Sequence, residues 1–204
     1  MLLVGRYRSP FVRRVAVSLG LLGMEFESKP LTAWDNLEDV RRLNPVGRVP
    51  ALVLDDGEVL FDSSAILEYL DEIAGPETAL VPPHGHARRE VLRLTAAALG
   101  VMEKEAAVRF ELNQRPSEKV HQPWIEHNRG QVHSGLEWLN SQVKGPWMTG
   151  ERLTQADVTT VVTCDFLRAF DESLLPSGKY PALDGLIERA TSMIPFAVTH
   201  PAVH

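Results

Sequence analysis

The residues best placed to do chemistry are Asp62 with Ser63, Val49 with Pro50, and Ser9. Asp62 or Ser63 stands directly ahead of Ile66, Leu67, Leu70 and Ile73, which recur at helical spacing, so either can serve as a helix N-cap. The start of such a helix offers unpaired N–H groups and the positive end of a dipole, which together can hold a carboxylate. Pro50 cannot donate to a sheet ladder, and as the first residue of a strand it leaves the Val49 backbone free to pair with something else. Ser9 precedes Pro10 at the start of another helical pattern. It takes the N-cap, and the proline takes the first helical position, where its missing N–H costs nothing. Serine and aspartate are common caps, so plain capping is the reading that any functional role must displace.

These residues need a sheet and two helix starts to hold them. Ala51–Leu54 and Glu58–Phe61 are short runs on either side of Asp55-Asp56-Gly57, a turn sequence, and predict a β-hairpin. Ahead of it, Leu2–Tyr7 reads as a buried strand and Glu25–Leu31 as a second one. Between them lies a helix whose buried face is Phe11, Val12, Val15, Val17, Leu19 and Leu22, closed by Gly20 or Gly23. Trp34–Val40 predicts a short helix, ended by Leu43-Asn44-Pro45. The order βαβ then ββα is that of an α/β thioredoxin-like domain over residues 1–75.

Breakers from Gly75 to Gly85, including Pro82-Pro83, mark a linker over residues 76–86. Beyond it the patterning is helical. Ala87–Asn113 and Ser117–Val143 predict long helices, Pro181–Ile194 a last one, and Pro195–His204 an irregular tail, giving an all-α domain over residues 87–204. Thr154 and Asp157 are spaced as the N-cap and N3 residues of a capping box that opens a helix carrying Val161, Val162, Cys164, Phe166, Leu167 and Phe170. Both are assigned to folding.

With 44% apolar and 24% charged residues the chain has the balance of a globular protein. A formal charge of −6 argues against a nucleic-acid binder, which needs a basic face. The N-terminal apolar run is too short for a signal peptide and no stretch reads as transmembrane. The single cysteine, Cys164, excludes an internal disulfide and fits a reducing cytosol; the seven histidines form no metal-ligand spacing.

Arg48-Val49-Pro50-Ala51-Leu52 followed by Asp62-Ser63-Ser64-Ala65-Ile66 resembles the glutathione-binding half of the glutathione transferase family. The resemblance implies a cis Val49–Pro50 bond and a Val49 backbone that pairs with the cysteinyl part of glutathione. It also implies that Asp62 and Ser63 hold the γ-glutamyl end, with Arg48 and Trp34 beside the glycyl end. The loop Tyr7-Arg8-Ser9-Pro10-Phe11-Val12 lies where redox-active relatives carry Cys-Pro-x-Cys, and without those sulfurs the protein has no dithiol couple of its own. What remains is a serine hydroxyl at a helix N-terminus, which can donate to the thiolate of bound glutathione while the dipole lowers the thiol's pKa. The thiolate is the nucleophile of conjugation reactions.

Tyr7 is the rival for Ser9, because some classes of the family use a tyrosine near the end of the first strand; here it reads instead as packed against the sheet. Arg8, Arg13 and Arg14 read as solvated or surface ion-pair residues. A second, hydrophobic substrate would sit in a cleft facing the helical domain, lined by Phe11, Met102, Phe110 and Phe166 or Phe170.

The resemblance covers the whole chain and implies a cytosolic, homodimeric, serine-type glutathione transferase of bacterial type, using glutathione and no metal. A zeta-type isomerase is disfavoured because residues 6–14 lack that class's Ser-Ser-Cys run, and a thiol transferase because Ser9 replaces cysteine. Peroxidase or dehalogenase chemistry, or a glutathione-binding or assembly module with little catalysis, remain as alternatives.

Overall fold

Pro10–Leu21 forms α1, and its burial on nearly every side decides the architecture of the first unit. Val12, Val15, Ala16 and Leu19 join Leu3, Leu52, Ile66, Leu67 and Leu70 in one core. A helix buried this far must be covered from more than one direction. On one side lies α3, Ser63–Ala74, whose Ile66, Leu67 and Leu70 supply the buried stripe, while Ile73, expected on the same face, is 47% exposed. Another side is covered by the short helix Ile194–Val198, which the sequence reading leaves in an irregular tail.

The sheet under α1 has the order β2-β1-β3-β4. Leu2–Val4 is β1, Glu27–Lys29 β2, Ala51–Val53 β3 and Val59–Leu60 β4. β1 runs parallel to β2 and antiparallel to β3, with Leu3 opposite Ser28 on one side and Leu52 on the other; the hairpin of β3 and β4 completes it. Every strand is shorter than expected, although each one exists. The short helix before the hairpin, α2, runs Leu37–Leu43 rather than from Trp34.

This computed structural model describes residues 1–203. The chain divides into two units: Met1–Gly85 together with the segment from Thr191, and His86–Ala190. The sequence reading puts that segment with the helical domain. The physical reason for the difference is Arg13, which is 1% exposed and donates from Nη2 to the Phe196 carbonyl at 3.1 Å and from Nε to Thr199 Oγ1 at 3.3 Å. The expected linker also folds onto the first unit: Ala79, Leu80 and Val81 are buried, and Leu80 N–H donates to Asp71 at 2.7 Å.

The second unit is helical throughout its regular structure, with α4 at Gly85–Gln114, α5 at Gln122–Gln142, α6 at Gln155–Phe170 and α7 at Pro181–Thr191. The helix expected from Ser117 is a 3₁₀ turn followed by α5, which starts at Gln122 with Pro123 in its first turn. α6 is buried from Gln155 to Leu167 and forms the centre of the unit. Cys164 lies within it, and burial pushes its thiol well above the ordinary range, so it is an inert core residue. Among the described residues no helix is long and apolar enough to cross a membrane, and no cluster of side chains could hold a metal ion.

One carboxylate in this unit is poorly compensated. Glu105 is 1% exposed, its Oε2 has no hydrogen-bond partner, and its Oε1 lies 3.8 Å from Arg129, which itself pairs with Asp171 at 2.7 Å. Burial lifts Glu105 to about 7, against the pull of Arg129. The folded chain therefore keeps a proton that the unfolded chain loses at lower pH. Stability from this group is full below the unfolded pKa and is lost as pH rises through about 7. Glu105→Gln is expected to flatten that decline and raise stability at pH 8 by about 2 kcal/mol, with little change at pH 4, as urea midpoints at the two pH values would show.

Candidate active site

Ser9 takes the N-cap position of α1 with extended backbone angles, and its carbonyl accepts the first helical bond from Arg13 N–H at 2.9 Å. Its hydroxyl makes no capping bond. The half-buried side chain is thus a donor at the positive end of a 12-residue helix, not spent on the helix itself. Tyr7 packs against the core cluster that α1 shares with the sheet and α3.

The segments around the first turns of α1 are drawn together by small residues and one buried amide. Gly5 ends β1 at φ +135°, and a Cβ placed there would lie 2.4 Å from Val12 Cγ2 and 3.1 Å from Val49 Cβ. Only glycine allows both the angle and the approach. Gly5→Ala is accordingly expected to cost about 2 kcal/mol or more through strain and overpacking, read as a lowered thermal midpoint.

Val49–Pro50 is cis, as the resemblance implies, and Phe61–Asp62 is cis as well. Asn44, 4% exposed, shapes the loop leading to Val49: its Nδ2 donates to the Arg48 carbonyl at 2.9 Å and its Oδ1 accepts from Val46 N–H at 3.0 Å. Gly47, at φ +71°, turns the chain in between. Val49 itself makes no backbone hydrogen bond with the rest of the described chain, so its N–H and C=O remain available to an extended peptide.

The Arg48 guanidinium lies over the Phe11 ring, 5.7 Å from its centre, so two residues assigned to different substrates are neighbours. Trp34 is 60% exposed, in a loop fastened by Thr32 Oγ1 to Asp35 at 2.9 Å and by an Arg6–Asp35 ion pair at 3.6 Å.

Asp62 caps α3: its Oδ1 accepts from Ser64 N–H at 2.8 Å and, at 3.4 Å, from the Ser63 hydroxyl. Capping and ligand binding are compatible here, because Asp62 is exposed and, among the described residues, its second carboxylate oxygen has no donor. Ser63 is 1% exposed. The expectation for Arg13 and Arg14 is overturned: both are buried, at 1% and 2% exposure, because α1 is enclosed around most of its circumference.

The residues expected to line a hydrophobic cleft separate on inspection. Met102 is fully buried and Phe166 is 5% exposed, so both are core residues of the second unit, placed there by the inward stripes of α4 and α6. Phe170 meets Phe166 edge to face at 5.1 Å and carries the Arg109 guanidinium 3.1 Å from its centre. Phe110, 53% exposed, lines an open groove of about 500 Å³ with Trp124 and Arg115. Phe11 belongs to the first unit.

Residues 8–73 match the family model described as the glutathione S-transferase N-terminal domain, and residues 122–189 match that of the C-terminal domain. A maleylacetoacetate isomerase of Pseudomonas aeruginosa is 31% identical over 96% of this chain and 93% of its own. The chain belongs to the glutathione S-transferase family. Other members similar to it include the uncharacterized GST-like protein YibF of Escherichia coli, 27% identical over 98% of both chains. A zeta-class glutathione S-transferase of Euphorbia esula is 29% identical over 74% of this chain and 69% of its own. Among solved structures, a glutathione S-transferase of Methylobacillus flagellatus with glutathione bound superposes with a TM-score of 0.91 at 29% identity, covering 98% of each chain.

Zeta-class and isomerase proteins thus stand among the relatives of this chain, although its residues 6–14 lack the Ser-Ser-Cys run by which the sequence reading set that class aside. Asn44 and Gly5 are the residues shaping the segments around Ser9 and Val49 that sequence reasoning passed over. For Asn44 the signal was present in Asn44-Pro45-Val46-Gly47, a turn sequence read only as a helix stop.

Proposed function

We propose that the chain binds glutathione along its first unit and activates the thiol as a thiolate, with Ser9 as the donor. In this reading the Val49 backbone pairs with the cysteinyl portion, and Asp62 with Ser63 receives the γ-glutamyl end. Arg48 and Trp34 attend the glycyl carboxylate. The observation that carries the reading is the unspent Ser9 hydroxyl at the start of α1, ahead of a Val49 whose backbone is also unspent. A charge-assisted hydrogen bond and a helix dipole both favour the anion over the thiol. The thiolate then attacks a small hydrophobic electrophile.

A second reading is favoured by the similarity to maleylacetoacetate isomerases. The same thiolate can add to a conjugated double bond, allow rotation, and leave again, returning glutathione unconsumed. Conjugation consumes one thiol per turnover and isomerisation none, so counting free thiol during turnover separates the two.

The primary test is calorimetric binding of glutathione together with the ultraviolet absorbance of its thiolate across pH. Binding with a depressed thiol pKa is the expected result. Binding with no thiolate would favour a glutathione-binding module without catalysis, and no binding would overturn the assignment of Val49, Asp62 and Ser63.

A further inference from the structure

Arg13 grips two parts of the first unit at once. Its backbone N–H donates to the Ser9 carbonyl at 2.9 Å, the bond that closes α1 onto its N-cap. Its side chain, 1% exposed, runs away from that turn and donates to the Phe196 carbonyl at 3.1 Å and to Thr199 Oγ1 at 3.3 Å. The far end of these bonds is itself fixed. Phe196 is fully buried, and the Thr199 hydroxyl donates to the Pro195 carbonyl at 2.7 Å, which orients the oxygen that meets Arg13 Nε.

The same segment touches α1 a second time, at Gly20, where a Cβ would lie 2.9 Å from Pro195 Cβ. Positions 13 and 20 are separated by about two turns and share one face of the helix. The segment from Thr191 is thus seated on α1 by directional hydrogen bonds near the Ser9 end and by close packing near the other. A helix gripped at two points along one face cannot roll about its axis without breaking one of them. Rolling is the motion that Ser9 cannot tolerate. A side-chain atom sits about 5 Å from a helix axis, so a roll of about 15° displaces it by about 1 Å. That turns a good hydrogen bond into a poor one, and a misplacement of about 1 Å can cost a reaction about 100-fold. Because the Ser9 hydroxyl makes no capping bond, its position follows the placement of α1.

We infer that Arg13 is a positioning residue for thiolate formation: by tying the first turns of α1 to Phe196 and Thr199 it fixes the Ser9 hydroxyl against the thiol, which makes the C-terminal segment part of the machinery that ionises it. This rests on the reading of Ser9 as the donor.

The test follows the ultraviolet absorbance of bound glutathione thiolate across pH in the wild type, Arg13→Met, Ser9→Ala and the double variant. Arg13→Met keeps most of the side chain's length and removes its donors. It is expected to raise the thiol pKa of bound glutathione by about one unit, a tenfold loss of thiolate below that pKa. Calorimetry at pH 5, where the thiol stays protonated, should find glutathione affinity unchanged. In the Ser9→Ala background the same substitution should leave the thiol pKa where Ser9→Ala puts it, because a residue that acts through Ser9 then has nothing to act on. Thr199→Val removes one acceptor with less disturbance, should shift the pKa the same way by a smaller amount, and carries the test if Arg13→Met does not fold. A lowered thermal midpoint with an unchanged thiol pKa in these variants would show a merely structural role and overturn the inference, as would an equal shift with and without Ser9. Either result leaves the reading of Ser9 standing, whereas a thiolate that survives Ser9→Ala would overturn both.

Discussion

Asp157→Ala is expected to remove about 4 kcal/mol of stability, a large share of the roughly 5–15 kcal/mol that a folded domain possesses. The carboxylate is fully buried and accepts from Met148 N–H at 2.6 Å, Thr154 N–H at 2.8 Å and Thr154 Oγ1 at 2.9 Å. Burial pushes its pKa up, and those donors pull it back. Taking the side chain away leaves buried donors unmet at the start of α6, and an unsatisfied buried group costs about 1–3 kcal/mol. It also unties the loop at Met148 from the helix that forms the centre of the unit. Urea unfolding followed through tryptophan emission, with Trp147 next to the severed bond, would read the loss; a change below about 1 kcal/mol would show that the box is dispensable.

The second large effect concerns chemistry rather than stability. Ser9→Ala is expected to abolish the thiolate absorbance of bound glutathione near neutral pH and lower kcat/KM by about 10- to 100-fold, the equivalent of one charge-assisted hydrogen bond. Glutathione affinity and the thermal midpoint should hold, because the Ser9 hydroxyl makes no capping bond and its helix starts from the carbonyl. That combination separates Ser9 from an ordinary cap, whose loss would lower stability by about 1 kcal/mol. Persistence of the thiolate in Ser9→Ala would move the role to another donor, with Tyr7 next in line.

Much of the arrangement was legible because local chemistry and tertiary structure agree. Ser9-Pro10 opened a helix, Asp55-Asp56-Gly57 turned a hairpin, and Thr154 with Asp157 formed a capping box, each through bonds that reach only a few residues. The errors arose where burial depends on residues distant in sequence. Arg13 and Arg14 look like surface charges until α3 and the segment from Thr191 close over α1. Met102 and Phe166 look equally suited to a cleft or a core, and helical periodicity says only that they face inward. Strand ends were overestimated for a similar reason, since an apolar run continues after its partner strand has stopped.

The hold of Phe196 and Thr199 on Arg13 also orders events during synthesis. When the first 85 residues have emerged from the ribosome, every strand of the sheet is present, yet the Phe196 carbonyl and Thr199 hydroxyl that accept from Arg13 are not. The whole helical unit has to be translated in between. The proposed glutathione-binding unit therefore starts before the helical unit and is completed after it, and a nascent chain arrested after residue 190 should hold α1 loosely, with its amide protons exchanging faster than those of a chain that includes Phe196 and Thr199.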